Sequence, residues 1–250
     1  MKYKLPDENI ILNKIDQIIN FCGNNHIYEI SGGEPTLLSQ NFFNNLLSLK
    51  KKYSCKFKLF TNGTDFNKVP NDLFDIIIYH ITEEISKGID VEKLDMVKQR
   101  FKCVNKVVIV HRYNLEYLEE FVKKYKDLDI YYIISDINDR TWNLDLDQII
   151  QCIKIFRKYN IDEKYFSSFS RYFNFVINRR KYNRLLISCK ININKIKIDL
   201  EKDIIIPCCR SLNNRGYKFS YELLNMYLNN DVCLHLEDCK ECYYLYNLEW

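Results

Sequence analysis

The chain has 250 residues, 47% of them hydrophobic and 28% charged, with a net charge of +4 at neutral pH. That length supports one large core plus a small appendage, and the composition excludes a disordered or fibrous polypeptide. Lysines alternate with acids, as in Lys93, Asp95, Lys98 and Glu119, Glu120, Lys123, Lys124, so no basic face marks nucleic acid as a partner. With no signal-type h-region and no apolar run of membrane length, a cytoplasmic protein without a membrane partner is expected.

Asp7 is placed to cap a helix in which Ile11, Ile15, Ile18 and Cys22 recur at helical spacing, and Gly23 ends it. A short strand at Ile27 to Ile30 follows. Ser39 caps a second helix with Phe42, Phe43, Leu46 and Leu47 on its inner side, which leads into a strand at Lys56 to Thr61. Further strands are expected at Asp75 to Ile81, Cys103 to His111 and Ile130 to Ser135. They alternate with helices at about Asp90 to Phe101, Leu115 to Leu128 and Leu146 to Tyr159. Five nearly continuous apolar strands separated by helices imply parallel βα units, either a barrel or an open α/β sheet. Such folds carry their chemistry at the carboxyl ends of the strands. Those ends are Ser31 to Glu34, Thr61 to Gly63, His80 to Glu83, His111 to Asn114 and Ser135 to Asn138, and all five are polar. Glu83, Glu84 and Arg112 there would suit a polar substrate, although solvated surface charge explains each of them as well.

The segment Ile27 to Leu38, IYEISGGEPTLL, organises the rest. Gly32 and Gly33 leave peptide groups bare where side chains would obstruct a ligand, and Glu34 supplies a negative charge at a strand's carboxyl end. That combination suits the amino group of an amino acid. A plain strand-to-helix turn would account for the same four residues, Gly32 to Pro35, so their neighbours have to decide.

Beyond about Asn160 the alternation stops. A division into 1–160 and 161–250 is expected, with strand-like pieces at Ile191 to Leu200 and Ile204 to Ile206 and a helix near Tyr221 to Leu228. Six of the ten cysteines fall in this part: Cys189, Cys208, Cys209, Cys233, Cys239 and Cys242, the last two as a CxxC. A reducing compartment disfavours disulfides, and grouped thiolates then point to a metal or cluster that staples a weakly cored domain. Cys189 and Cys208 flank a hairpin-like stretch, and with Cys239 and Cys242 they would make a four-thiolate site. Spacing alone leaves [4Fe-4S] and zinc both open, with the absence of a second CxxC favouring the cluster. Cys22, Cys55, Cys103 and Cys152 are isolated and are expected to be ordinary free thiols.

The order of strand, GGEP, a strand ending in Thr61-Asn62-Gly63, a strand with Asn114 beyond its end, and spaced C-terminal cysteines resembles the radical SAM superfamily with a SPASM/twitch-type extension. The resemblance implies a partial (β/α)6-type TIM-like barrel, followed by a small Cys-rich domain. It also implies that Gly32, Gly33, Glu34 and Pro35 meet the amino group of S-adenosylmethionine, that Asn114 lies near its ribose and Val110 near its adenine, and that His80 stands at a substrate- or cofactor-facing strand end. Cys189, Cys208, Cys239 and Cys242 resemble the ligands of an auxiliary [4Fe-4S] cluster, with Cys209 and Cys233 as substitutes. The activity implied is radical modification or oxidation of a peptide or small polar substrate, fed by an electron donor such as flavodoxin or ferredoxin. There the S-adenosylmethionine is cleaved reductively on a cluster held by a CxxxCxxC loop. This chain has no CxxxCxxC, and Cys22 is its sole cysteine before Gly32. Five strands are countable where the family has six. The chain as written is therefore expected to lack the first strand and the SAM-cleaving cluster, through a start placed at an internal methionine or a truncated gene. A degenerate, inactive relative serving as a scaffold or partner-binding protein is the alternative, and an unrelated α/β protein with a zinc site is a third.

Overall fold

The computed structural model describes residues 7–134, 142–178, 197–200, 204–206 and 217–229. It divides into two compact units, Met1–Phe169 and Ser170–Trp250. In the first unit the strands β1 (Ile27–Ile30), β2 (Lys56–Thr61), β3 (Ile76–His80), β4 (Val104–Val110) and β5 (Ile130–Ile134) form one parallel sheet in the order 1-2-3-4-5. The helices are α1 (Glu8–Cys22), α2 (Gln40–Tyr53), a single turn α3 (Glu84–Lys87), α4 (Val91–Arg100), α5 (Leu115–Tyr125), α6 (Leu146–Lys158) and α7 (Ser167–Asn178), which begins at the end of this unit.

Local chemistry sets the helix ends. The Asp7 carboxylate accepts from the N–H groups of Asn9 and Ile10, and Gly23, at φ +83°, donates its N–H to the Ile19 carbonyl. Ser39 caps α2 by accepting from the Phe42 N–H, while its own N–H and hydroxyl both donate to the Glu8 carboxylate, tying α2 to the first turn of α1. Asp145 and Gln148 close a reciprocal capping box at α6. The expected Leu115 helix stops at Tyr125, short of Leu128. The α3 turn is too short to show in the apolar periodicity, whereas α7 has Phe169, Tyr172, Phe173 and Val176 at helical spacing but lies beyond the point where the alternation is expected to stop.

Parallel crossovers are right-handed, so strands in chain order send every connection to the same side of the sheet. Burial follows that rule. Phe57, Leu59, Ile77, Tyr79, Val108, Val110, Tyr132 and Ile134 alternate onto one face and are buried. The opposite face runs in register as Glu29, Lys58, Ile76, then Phe60, Ile78, Asn105, then His80, Val107, Tyr131. Of these only Val107 is buried. A parallel sheet in chain order with its core on one side is consistent with a partial barrel rather than a doubly wound fold. The covered side is dense with aromatics: Phe42, Phe43, Phe57 and Phe74 meet edge to face, and Phe156 packs against Tyr132, Phe166 and Phe169. Each contributes roughly 2 to 3 kcal/mol through burial. The outer edge of β5 is blunted by Ser168, whose hydroxyl accepts from the Ile134 N–H at 3.3 Å and donates to the Tyr132 carbonyl at 3.3 Å.

In the second unit the described residues form an antiparallel sheet of β6 (Lys197–Asp199), β7 (Ile204–Ile206) and β8 (Tyr217–Lys218), followed by α8 (Tyr221–Asn229). The expected hairpin is thus present, with Ile198 opposite Ile205. Cys189, Cys208, Cys209, Cys233, Cys239 and Cys242 lie outside the described residues. Cys22, Cys55, Cys103 and Cys152 are free thiols, and burial pushes Cys152 up to about 12. Among the described residues no helix is long and apolar enough to cross a membrane.

Two buried tyrosines have opposite circumstances. The Tyr125 hydroxyl accepts from the buried Ile89 N–H at 2.8 Å, whereas the Tyr132 hydroxyl is buried without a partner among the described residues. Tyr125→Phe is expected to cost about 1 to 3 kcal/mol, and Tyr132→Phe to be neutral or stabilising by up to about 1 kcal/mol. Urea-unfolding midpoints of the two variants check this.

Candidate functional site

Glu34 brings the carboxyl ends of β1 and β2 together. Its Oε1 accepts from the Thr36 N–H at 2.9 Å and from the hydroxyls of Thr36 and Thr61, while its Oε2 accepts from the Asn62 N–H at 2.8 Å. Thr36 is 0% and Thr61 2% exposed, and Glu34 itself is half-buried. The carboxylate therefore stands at the sheet's carboxyl edge with its rotamer fixed from two strands. Pro35 is buried at the start of a short 3-10 turn, Pro35–Leu37, for which the Glu34 side chain is also the cap.

Gly32 and Gly33 are exposed, at φ +98° and +53°, and a Cβ on either would meet nothing within 4 Å. Their lack of side chains serves the backbone turn and leaves the peptide groups beside Glu34 open. Gly63 differs: at φ +71° its added Cβ would lie 2.3 Å from Phe66 Cε2 and 2.8 Å from Tyr79 Cε2. It is a packing glycine that lets the β2 turn close over Phe66.

His80 ends β3 on the open face, its ring 4.0 Å from that of Phe60, and its Nε2 is buried without a partner among the described residues. Burial pushes its pKa down to about 4, against the opposing pull of the Glu34 charge. The imidazole is neutral at physiological pH, with one polar atom left to satisfy. Nearby Tyr79 faces the helices, and burial, reinforced by Glu84, Asp90 and Glu34, raises its hydroxyl to about 12.

Asn114 is 7% exposed, and its amide spans the turn after β4: Oδ1 accepts from the His111 N–H and Nδ2 donates to the Ile109 carbonyl, both at 2.9 Å. One Nδ2 hydrogen and one Oδ1 lone pair remain beyond that clamp. Val110 is fully buried on the helix-covered face, in register with Ile134. Beside this turn His111, Tyr113 and Trp142 make three mutual ring contacts at 4.7 to 6.2 Å, and the Arg112 N–H donates to the Trp142 carbonyl. Burial lowers the His111 pKa, and its Nδ1 accepts from the Tyr113 N–H, which puts the proton of the neutral ring on Nε2. Glu83 is exposed, and Arg112 lies 4.0 Å from Asp145. A cleft of about 360 Å³ opens behind the β2 turn, between Gly63, Asp65 and Phe66 and the start of α4 at Asp90, Lys93 and Met96. Among the described residues no group of His, Cys, Asp and Glu is placed to hold a metal ion.

Sequence reasoning passes over Thr36 and reads Thr61 only as the polar end of the second strand. A signal was present: Thr61 falls on the buried alternation of β2 after Phe57 and Leu59, where a hydroxyl requires a partner.

Fold and site together define an α/β half-barrel with a fixed carboxylate at the carboxyl edge of its sheet. Solved structures of anSMEcpe, an anaerobic sulfatase-maturating radical SAM enzyme, share this fold. The polyhistidine-tagged form with bound AdoMet matches with a TM-score of 0.56 at 17% identity, over 97% of this chain and 76% of that one. The native form with AdoMet and the Kp18Cys peptide gives 0.54 at 16% identity over 97% and 80%. The native form with AdoMet and the Cp18Cys peptide gives 0.51 at 16% identity, again over 97% and 80%. At such identity the likeness is one of fold. No protein-family model and no curated protein matches the chain.

Gly33→Ala is expected to cost about 1 kcal/mol, the strain of a left-handed residue with free space around it. Gly63→Ala should cost roughly 3 kcal/mol or more, because ring atoms must move as well. Paired denaturation curves measure the difference. A separate outcome concerns pH. Between about 6.5, where an unfolded histidine titrates, and the folded His80 value of about 4, only the unfolded chain takes up the proton. Stability is therefore level above about pH 6.5 and falls on acidification towards about 4, and His80→Gln should show a smaller loss between pH 7 and 5 in urea titrations.

Proposed function

We propose that the chain is a radical SAM-family iron-sulfur protein that binds S-adenosylmethionine at Gly32, Gly33 and Glu34, with Pro35 closing the motif. The observation that carries this reading is the Glu34 carboxylate, locked by Thr36, Thr61 and Asn62 at the carboxyl edge of a one-sided parallel sheet beside two bare glycines. Its chemistry fits the ligand. An acceptor-only group next to open peptide groups suits an ammonium, and the site keeps its acceptor oxygens at the strand ends. The shared fold supports the reading, since the similar structures hold AdoMet, two of them together with a peptide. A peptide or small polar substrate is accordingly proposed for this chain.

On this reading the protein's own work is positioning. Glu34 takes the amino group, Gly32 and Gly33 let the methionine portion lie against the backbone, and the neutral His80 offers a hydrogen-bonding atom at the neighbouring strand end. Asn114 keeps the β4 turn shaped beside the nucleoside, while Val110, fully buried on the helix-covered face, anchors the strand without reaching the adenine. These 250 residues contain no CxxxCxxC, so hydrogen abstraction from an unactivated position would be supplied by S-adenosylmethionine only where such a cluster loop is joined to them. Cys189, Cys208, Cys239 and Cys242 are proposed to hold an auxiliary [4Fe-4S] cluster, and a flavodoxin- or ferredoxin-type donor to supply electrons.

Equilibrium dialysis under anaerobic conditions tests the cofactor assignment. The unaltered chain should retain S-adenosylmethionine, and Glu34→Gln should weaken binding about tenfold or more, equivalent to at least about 1.4 kcal/mol. Undiminished binding by that variant would remove the basis of the assignment. Iron and acid-labile sulfide counted after anaerobic reconstitution test the second site: the Cys239→Ala, Cys242→Ala double variant should lose the auxiliary iron, and an unchanged count refutes the ligand set.

A further inference from the structure

The two threonine hydroxyls beneath Glu34 are wired in one direction. Thr61 Oγ1 accepts from the Gly63 N–H at 2.8 Å, and Thr36 Oγ1 accepts from the Asp65 N–H at 3.2 Å. Both then reach Glu34 Oε1. A carboxylate has no proton to give, so each hydroxyl must be the donor in its contact with Oε1. With the Thr36 N–H added, Oε1 accepts three hydrogen bonds and has no lone pair left for a ligand. Oε2 accepts only the Asn62 N–H among the described residues. An ionised carboxylate offers about four acceptor positions, two per oxygen, so the vacant one belongs to Oε2.

We infer that Thr36 and Thr61 are positioning residues that saturate one oxygen of Glu34 and present the other, Oε2, as the single acceptor for a ligand's primary ammonium group. The inference rests on the assignment of S-adenosylmethionine to this site and adds to it the pair of residues that sets the geometry. Both hydroxyls are anchored to the loop after β2, while Glu34 follows β1. The acceptor direction is thereby fixed by a contact between strands and not by the GGEP segment alone. Loss of either hydroxyl frees Oε1, lets the carboxylate turn, and spreads the acceptor capacity over two oxygens. The effect is confined to ligands that carry the amino group.

Two ligands separate this from a general loosening of the site. S-adenosylmethionine has the amino group, and 5′-methylthioadenosine keeps the nucleoside and a neutral thioether sulfur but lacks the amino group, the carboxylate and the sulfonium charge. In anaerobic dialysis Thr61→Val should bind S-adenosylmethionine about tenfold more weakly, with affinity for 5′-methylthioadenosine unchanged within about twofold. Thr61→Ser, which restores the hydroxyl, should recover most of the loss, and Thr36→Val should reproduce it. In the Glu34→Gln background Thr61→Val should add little further loss, because the two act through one group. Equal weakening for both ligands, or no rescue by serine, overturns the positioning role while leaving the cofactor assignment standing. Absence of S-adenosylmethionine binding by the unaltered chain removes the assignment itself. Should Thr61→Val fail to fold by circular dichroism, Thr36→Val and Thr61→Ser decide between the same outcomes.

Discussion

A parallel sheet whose strands follow one another in chain order can place its crossovers on one side only, and this constraint shapes the whole first unit. The right-handed connection is imposed by strand twist, and the order 1-2-3-4-5 leaves it no choice of face. One surface of the sheet is therefore packed with phenylalanines and isoleucines under the helices. The other keeps a mixed row of Glu29, Lys58, Phe60, Ile78, His80 and Asn105 that is half-buried or exposed. Lys58 pairs with Glu29 at 2.6 Å on that second surface, an arrangement a closed apolar core would not favour. Among the described residues of the first unit this face carries the less buried side chains, while the opposite face holds the apolar core.

Within that frame the edge is stiffened where β1 and β2 finish. Glu34 spans the gap between them and is held by two buried threonines and a backbone N–H, so the first turn of the GGEP segment and the loop after β2 form one hydrogen-bonded piece. A buried hydroxyl costs free energy unless it is paired, and both threonines recover that cost on the same carboxylate oxygen. His80, one strand further on, is left in the opposite condition, neutral and with a nitrogen unpaired among the described residues. A carboxylate with one oxygen saturated and an imidazole with an unsatisfied nitrogen among the described residues thus stand near the same edge.

Much of this was legible beforehand. The five strands begin and end within a residue or two of their expected bounds, because apolar runs punctuated by Asp7, Gly23, Ser39 and Asp90 are strong local signals. The α3 turn and α7 were missed. One is too short to show periodicity; the other carries Phe169, Tyr172, Phe173 and Val176 at helical spacing, a signal passed over because it follows the last strand-helix pair. Apolar alternation alone left barrel and open sheet both possible, since strand order is a property of non-local pairing, and only the order of motifs pointed to the partial barrel with which the parallel five-stranded sheet is consistent. Asn114 has a second role that the sequence does not show: half of its amide's hydrogen-bonding capacity closes the turn after β4.

By itself the sequence determined the alternation of strands and helices, the position of two glycines and a carboxylate after the first strand, and the grouping of cysteines near the end. Those follow from local propensity and residue chemistry, which act over a few positions. Only the tertiary structure decided that all crossovers share one face, that His80 loses its charge, and that Thr36 and Thr61 converge on Glu34. Each of these depends on groups brought together from distant parts of the chain, where burial and hydrogen-bond partners, rather than neighbours in sequence, set the free energy.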